Sequence, residues 1–229
     1  MKFKFLSLLL SISVLLGCSI TTTANFESDF SGMVVTKLNF EKYFDFMTYT
    51  ISKKSENGSS QEIEKASIAK EEMRLKLLEE FSQIFLKMKA ICEGRGIENF
   101  NINAQEKELI INYSFNSLEA LNYAYNALEF ALGKNDQKTV DLHNYFELKG
   151  KKLIYQEKQL KDIDKGQYMK YDKKGDMMRY ITVFNFNQSF KKLRTEGEIE
   201  IREDNKQIKF ETNLGDYIKG EVISFEIKF

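Results

Sequence analysis

Residues 109–121 read Leu109-Ile110-Ile111-Asn112-Tyr113-Ser114-Phe115-Asn116-Ser117-Leu118-Glu119-Ala120-Leu121, and the change of pattern inside them decides the fold. Up to Phe115, Leu109, Ile111, Tyr113 and Phe115 recur at every second position, the period of a strand with one buried face. Beyond Ser117 the period lengthens: Leu118, Leu121, Tyr125, Leu128 and Leu132 form the apolar stripe of a helix. Asn116 or Ser117 can cap its free amides, Glu119 can reach back, and Gly133 stops it.

Working outward, residues 97–103 and 109–115 predict a hairpin around Gln105-Glu106-Lys107. Before it, Met73, Leu77, Phe81, Ile84, Phe85, Met88 and Cys92 recur at three- and four-residue spacing, which predicts a long helix ending at Gly94 and Gly96. Residues 32–51 are aromatic and β-branched and predict strand, and the polar stretch 52–61 predicts a loop. Beyond residue 144 the expected strands are 145–148, 153–155, 178–186, 198–202, 207–211 and 222–229. This order implies one α+β domain over residues 32–229, an antiparallel sheet with two main helices packed on one face.

The N-terminus carries a different message. Lys2 and Lys4 precede an apolar run from Phe5 to Leu16, interrupted only by serines and followed by Gly17-Cys18. This is the build of a secretory signal, too short to remain as a spanning helix. Leu15-Leu16-Gly17-Cys18 resembles the lipobox of bacterial lipoproteins, with the leucine before Gly17 bulkier than that family usually has. The resemblance implies that residues 1–17 are cleaved and that Cys18 receives diacylglycerol and then an acyl chain such as palmitate. Residues 18–31 are expected to be the lipidated cysteine and a tether. The partner implied is a membrane, reached through the lipid on Cys18.

That assignment narrows the chemistry available. Only Cys92 remains, so no intramolecular disulfide can form in a mature monomer, and its place on the helix stripe marks it as a packing residue. Nucleophilic triads need an imidazole, and the one histidine is His143, between Leu142 and Asn144. One histidine and one thiol cannot furnish a catalytic zinc site. Lys161-Asp162-Ile163-Asp164-Lys165-Gly166 lacks the third acid and the distal glutamate of a calcium loop. Gly94-Arg95-Gly96 follows a helix, whereas a phosphate loop follows a strand, so no metal and no cofactor is expected.

Charge excludes another class. The chain balances 34 basic against 34 acidic residues, and the signal removes two lysines, so nothing favours nucleic acid overall. Two features suit binding instead. The cluster Phe40, Tyr43, Phe44, Phe46 and Tyr49 has the composition of a buried sheet. In residues 158–178, Tyr168, Met169, Tyr171, Met177 and Met178 interleave with lysines and form the candidate binding surface, suited to an anionic head group or a partner protein.

The order of elements, with Phe115-Asn116-Ser117-Leu118-Glu119-Ala120-Leu121-Asn122 opening the second helix, resembles envelope lipoproteins of AT-rich Gram-negative bacteria and LppM-like lipoprotein domains over residues 32 to about 148. Such families imply envelope attachment and no catalytic residues. The expectation is a non-enzymatic binding or assembly module for an envelope protein, a lipid or a glycan. A glycan hydrolase using a carboxylate pair and a structural homo-oligomer are the alternatives. Ser19 rather than aspartate after the cysteine resembles outer-membrane routing in enterobacteria, so the outer membrane is the expected address.

Overall fold

The computed structural model describes residues 18–42, 44–45, 60–132, 142–158, 179–213, 216 and 222–229. The expected signal peptide, residues 1–17, lies outside them. The elements in chain order are β1 (Ser19–Phe26), β2 (Gly32–Asn39), α1 (Ser60–Cys92), β3 (Ile97–Ala104), β4 (Glu108–Phe115), α2 (Leu118–Leu132), β5 (Phe146–Lys149), β6 (Lys152–Gln156), β7 (Arg179–Phe186), β8 (Lys192–Glu196), β9 (Glu200–Arg202), β10 (Gln207–Asn213) and β11 (Ser224–Lys228).

Two sheets result, a seven-stranded one in the order β3-β4-β2-β1-β7-β10-β9 and a four-stranded one in the order β5-β6-β11-β8. All described pairings are antiparallel except β1 with β7. The α+β class and the mostly antiparallel sheet agree with the sequence reading. The strand-to-helix switch falls where the pattern changes period: β4 ends at Phe115, and Ser117 Oγ accepts the Ala120 amide at 3.2 Å to cap α2.

One face of the large sheet is buried along its central strands. Leu109, Ile111, Tyr113 and Phe115 on β4 share it with Val34 and Leu38 on β2, Ala24 and Phe26 on β1, Phe184 and Phe186 on β7, and Ile208 and Phe210 on β10. Helices α1 and α2 cover the β3-β4 side of this face. The four-stranded sheet covers the other side through Phe146, Tyr155 and Phe225, which meet Phe184 at ring separations of 5.4, 5.0 and 5.8 Å. Burying rings of this size is the main favourable contribution at the seam between the sheets.

Three stretches depart from expectation. Residues 19–31 are not a tether: Ser19–Phe26 is a central strand, paired with β2 on one side and β7 on the other over its whole length. Thr21-Thr22-Thr23 is β-branched and fits a pleated sheet, and Ala24 and Phe26 are buried. The turn into β2 is tight, because a Cβ on Gly32 would stand 1.9 Å from the Asn25 carbonyl oxygen. The aromatic run after residue 39 does not continue the strand, since Phe44 N–H donates to Phe40 C=O at 3.0 Å in a helical turn. Residues 46–51 lie outside the described residues. Finally, β8, charged along most of its length, was not foreseen.

Candidate functional site

Cys18 immediately precedes β1, at the end of the large sheet where β2 finishes and β7 begins. Ser19 stands opposite both Asn39 and Arg179, and the Arg179 amide donates to the Cys18 carbonyl at 3.1 Å. The thiol lies in the core with 1% of the residue exposed, and desolvation pushes it up to about 12. A neutral, buried thiol is a poor nucleophile. Cys92 is equally enclosed at the end of α1, where burial pushes its thiol up to about 11. Of the aromatic cluster, Phe40 and Phe44 are core residues, with Phe40 5.4 Å from the Phe81 ring. Tyr43, Phe46 and Tyr49 lie outside the described residues. So do Asp162 and Asp164, and so do all five residues of the candidate surface, Tyr168, Met169, Tyr171, Met177 and Met178.

The structure assembles one polar cluster that the sequence did not disclose, where α2 meets the four-stranded sheet. Asn122 and Asn126, one turn apart, each grip the backbone of the segment entering β5. Asn122 donates to Phe146 C=O at 2.7 Å and accepts from Phe146 N–H at 2.8 Å. Asn126 donates to His143 C=O at 2.8 Å and accepts from His143 N–H at 2.8 Å. The two amides thus act as a short pseudo-strand. Its only forewarning was the i, i+4 spacing of two asparagines on a helix face.

Several ionisable groups lie around this clasp, and their polar atoms are engaged. The Tyr145 hydroxyl donates to Glu129, which also pairs with Lys158 at 2.6 Å. Glu157 is buried and accepts the Ile223 amide at 2.8 Å, and Ile223 C=O accepts the Glu157 amide. His143 Nε2 contacts the Gln156 carbonyl oxygen at 3.1 Å, with its ring edge-on to Tyr145 at 4.6 Å. The Tyr125 hydroxyl in this cluster is instead buried without a hydrogen-bond partner among the described residues, as is the Thr212 hydroxyl on β10. Burial, with the nearby Glu157 carboxylate second, drives the ionisation of Tyr125 far above the ordinary range. The contacts of the cluster tie helix to sheet.

Among the described residues, no three His, Cys, Asp or Glu side chains converge where a metal could sit. No helix there is long and apolar enough to cross a membrane.

No family model matches this sequence, and no curated protein matches it. Among solved structures it is similar to the NMR structure of the LppM folded domain of Mycobacterium tuberculosis, at a TM-score of 0.44 and 9% identity, covering 93% of this chain and 91% of that one. That likeness concerns the general run of the chain and bears on neither ligand nor activity.

Proposed function

We propose that this chain is an exported lipoprotein held at the cell envelope through Cys18, and that the domain behind the anchor is a non-enzymatic binding or assembly module. The observation that carries the reading is positional. The cysteine that ends the lipobox-like Leu15-Leu16-Gly17-Cys18 is also the residue that directly precedes the first strand, so cleavage before it would leave β1 whole. The domain would then sit flush on the membrane, without the spacer that the composition of residues 19–31 had suggested.

Lipid on Sγ requires the Cys18 side chain to leave the core. Exposing one small side chain costs about 1 kcal/mol, on the scale of about 0.8 kcal/mol per buried methylene. Two or three acyl chains inserted in a bilayer outweigh that many times over. The backbone hydrogen bond from Arg179 does not oppose the rotation, because it uses the carbonyl and leaves the side chain free to turn.

Support for a non-enzymatic role comes from the state of the acid, base and thiol groups. Glu129 and Glu157, the carboxylates of the cluster around the asparagine clasp, are bound to Tyr145 and Lys158 and to the Ile223 backbone respectively. A carboxylate-pair hydrolase has correspondingly less to recommend it. The ligand class in this reading is an envelope protein, lipid or glycan, and Ser19 after the cysteine favours outer-membrane routing.

The test is fractionation with metabolic labelling by an alkyne-bearing palmitate analogue. Wild-type protein should be labelled and partition with membranes, while Cys18→Ala should lose the label and the membrane association. An unlabelled wild type, or an unchanged membrane fraction for the variant, would overturn the anchor.

A further inference from the structure

The outward face of the four-stranded sheet holds an arrangement that folding alone does not call for. In register across all four strands, Lys149 faces Lys152, Lys152 faces Lys228, and Lys228 faces Lys192. Like charges directly opposite one another on a sheet are destabilising. In the adjoining row Glu226 faces Arg194 on one side and Ile154 on the other. Two of the cations have partners, Lys149 with Glu147 and Lys152 with Glu226, each at 2.9 Å. Lys192 and Lys228 have no ion-pair partner among the described residues, while Arg194 stands across from Glu226 and, after Lys152, helps hold its carboxyl low. A cavity of about 140 Å³ lies among Lys152, Lys192, Arg194, Glu226 and Lys228.

Lysine is often used to keep an edge strand from pairing with another chain. That accounts for Lys149 on β5 and Lys192 on β8, the two edges, but β6 and β11 are interior strands. Lys152 and Lys228 therefore need another reason. The chain as a whole carries no basic excess, so this is a local concentration of charge around a hollow, which is how a protein draws in and holds an anion.

We propose that this face is a binding site for a phosphate-type oxyanion, held between Lys152, Lys192, Arg194 and Lys228. Arg194 offers a fork that can grip two oxygens at once, and the lysine ammonium groups complete the neutralisation. Glu226, paired with Lys152, orients that amine and sets one limit of the hollow. The site lies far from Cys18. Phe229, next to Lys228, packs on Phe186 and Phe30 at 5.6 and 5.5 Å, beyond the end of β1 opposite to Cys18. Eight strand residues separate the two ends, about 26 Å at 3.3 Å per residue. The site is independent of the anchor, so a lipid head group that reached it would belong to a molecule other than those surrounding Cys18.

The test uses the full chain in neutral detergent, titrated calorimetrically with inorganic phosphate and with glycerol 3-phosphate in low-chloride buffer. Wild type should bind. Lys192→Ala/Lys228→Ala should lose at least tenfold in affinity, Lys192→Arg/Lys228→Arg should keep it, and Lys37→Ala, on the other sheet, should match wild type. A second arm uses full-length Cys18→Ala with vesicles of phosphatidylcholine, with and without phosphatidylglycerol. Calorimetric binding without a preference for the anionic vesicles identifies a soluble phosphoester; co-flotation only with phosphatidylglycerol identifies a lipid head group. Binding of none of these probes, or binding that the double alanine variant retains in full, overturns the proposal. The alanine variant's thermal midpoint, expected to equal or exceed wild type without phosphate, separates lost binding from lost folding.

Discussion

Cys18 and Arg179 are joined across 161 positions of sequence by a backbone hydrogen bond of 3.1 Å, the first rung of the parallel pairing between β1 and β7. That rung makes the candidate anchor residue part of the sheet. It also places Arg179, the first residue of β7, beside the residue that would carry the lipid.

Because β1 pairs on both sides, proline cannot be placed in it without removing a ladder hydrogen bond. Thr23→Pro should destabilise the domain by about 3 kcal/mol or more, or prevent folding. Urea unfolding of the purified chain measures this. In a tether the same change would be silent, so an unchanged midpoint would contradict the central strand.

Asn126 is 1% exposed and makes two hydrogen bonds to the His143 backbone and one to Asn122 C=O. Asn126→Ala leaves buried backbone groups unpaired and should cost about 2–4 kcal/mol. Hydrogen exchange should locate the loss, with the His143 amide freed before the amides of β4.

Phe184 is fully buried and meets five rings, those of Phe26, Phe146, Tyr155, Phe210 and Phe225. Phe184→Ala should cost about 3–5 kcal/mol, by transfer plus cavity. Phe184→Leu should cost less. A fall in thermal midpoint in that order is the expected result.

Burial raises the Cys92 thiol from 9.0 to about 11 and the Tyr180 phenol from 10.0 to about 12. The folded state therefore keeps protons that the unfolded chain gives up. Stability is full below pH 9 and falls as pH rises through the unfolded values towards the folded ones, by about 1.4 kcal/mol per pH unit for each group in its window. Denaturant midpoints at pH 8 and pH 10.5 should differ in that sense, and Cys92→Ala should reduce the slope. In the native protein at pH 8, Cys92 should resist a thiol reagent that labels it at once in urea.

At the acid end the sign reverses. Lys152 holds the Glu226 carboxyl below its ordinary value, chiefly by a hydrogen bond. The stability this provides is present above the unfolded carboxylate value and is lost as pH falls through the folded one. Glu226→Gln should flatten the acid limb of a stability–pH curve, and an unaltered limb would show that the pair is fully screened.

The long α1, the β3–β4 hairpin and the capped α2 were legible because each is a local pattern: period, cap and turn residue lie within a few positions of one another. The α+β class follows from their order. The same local reading failed at β1, where Thr21-Thr22-Thr23 carries β-branched side chains but little apolar weight, and the adjoining cysteine motif suggested a spacer. It failed at β8 for the related reason that a strand with a solvated face can be mostly charged.

By itself, the sequence determined the candidate anchor, the two helices and the hairpin, and it supplies a single imidazole and two thiols, one of them the candidate anchor. Only the tertiary structure decided that β1 is central, that Asn122 and Asn126 clasp the segment before β5, and that Lys149, Lys152, Lys192 and Lys228 stand in one row. Those three facts depend on strand register and on contacts between distant parts of the chain. A register is set by which faces can be buried together, and nothing within a short window of sequence records it.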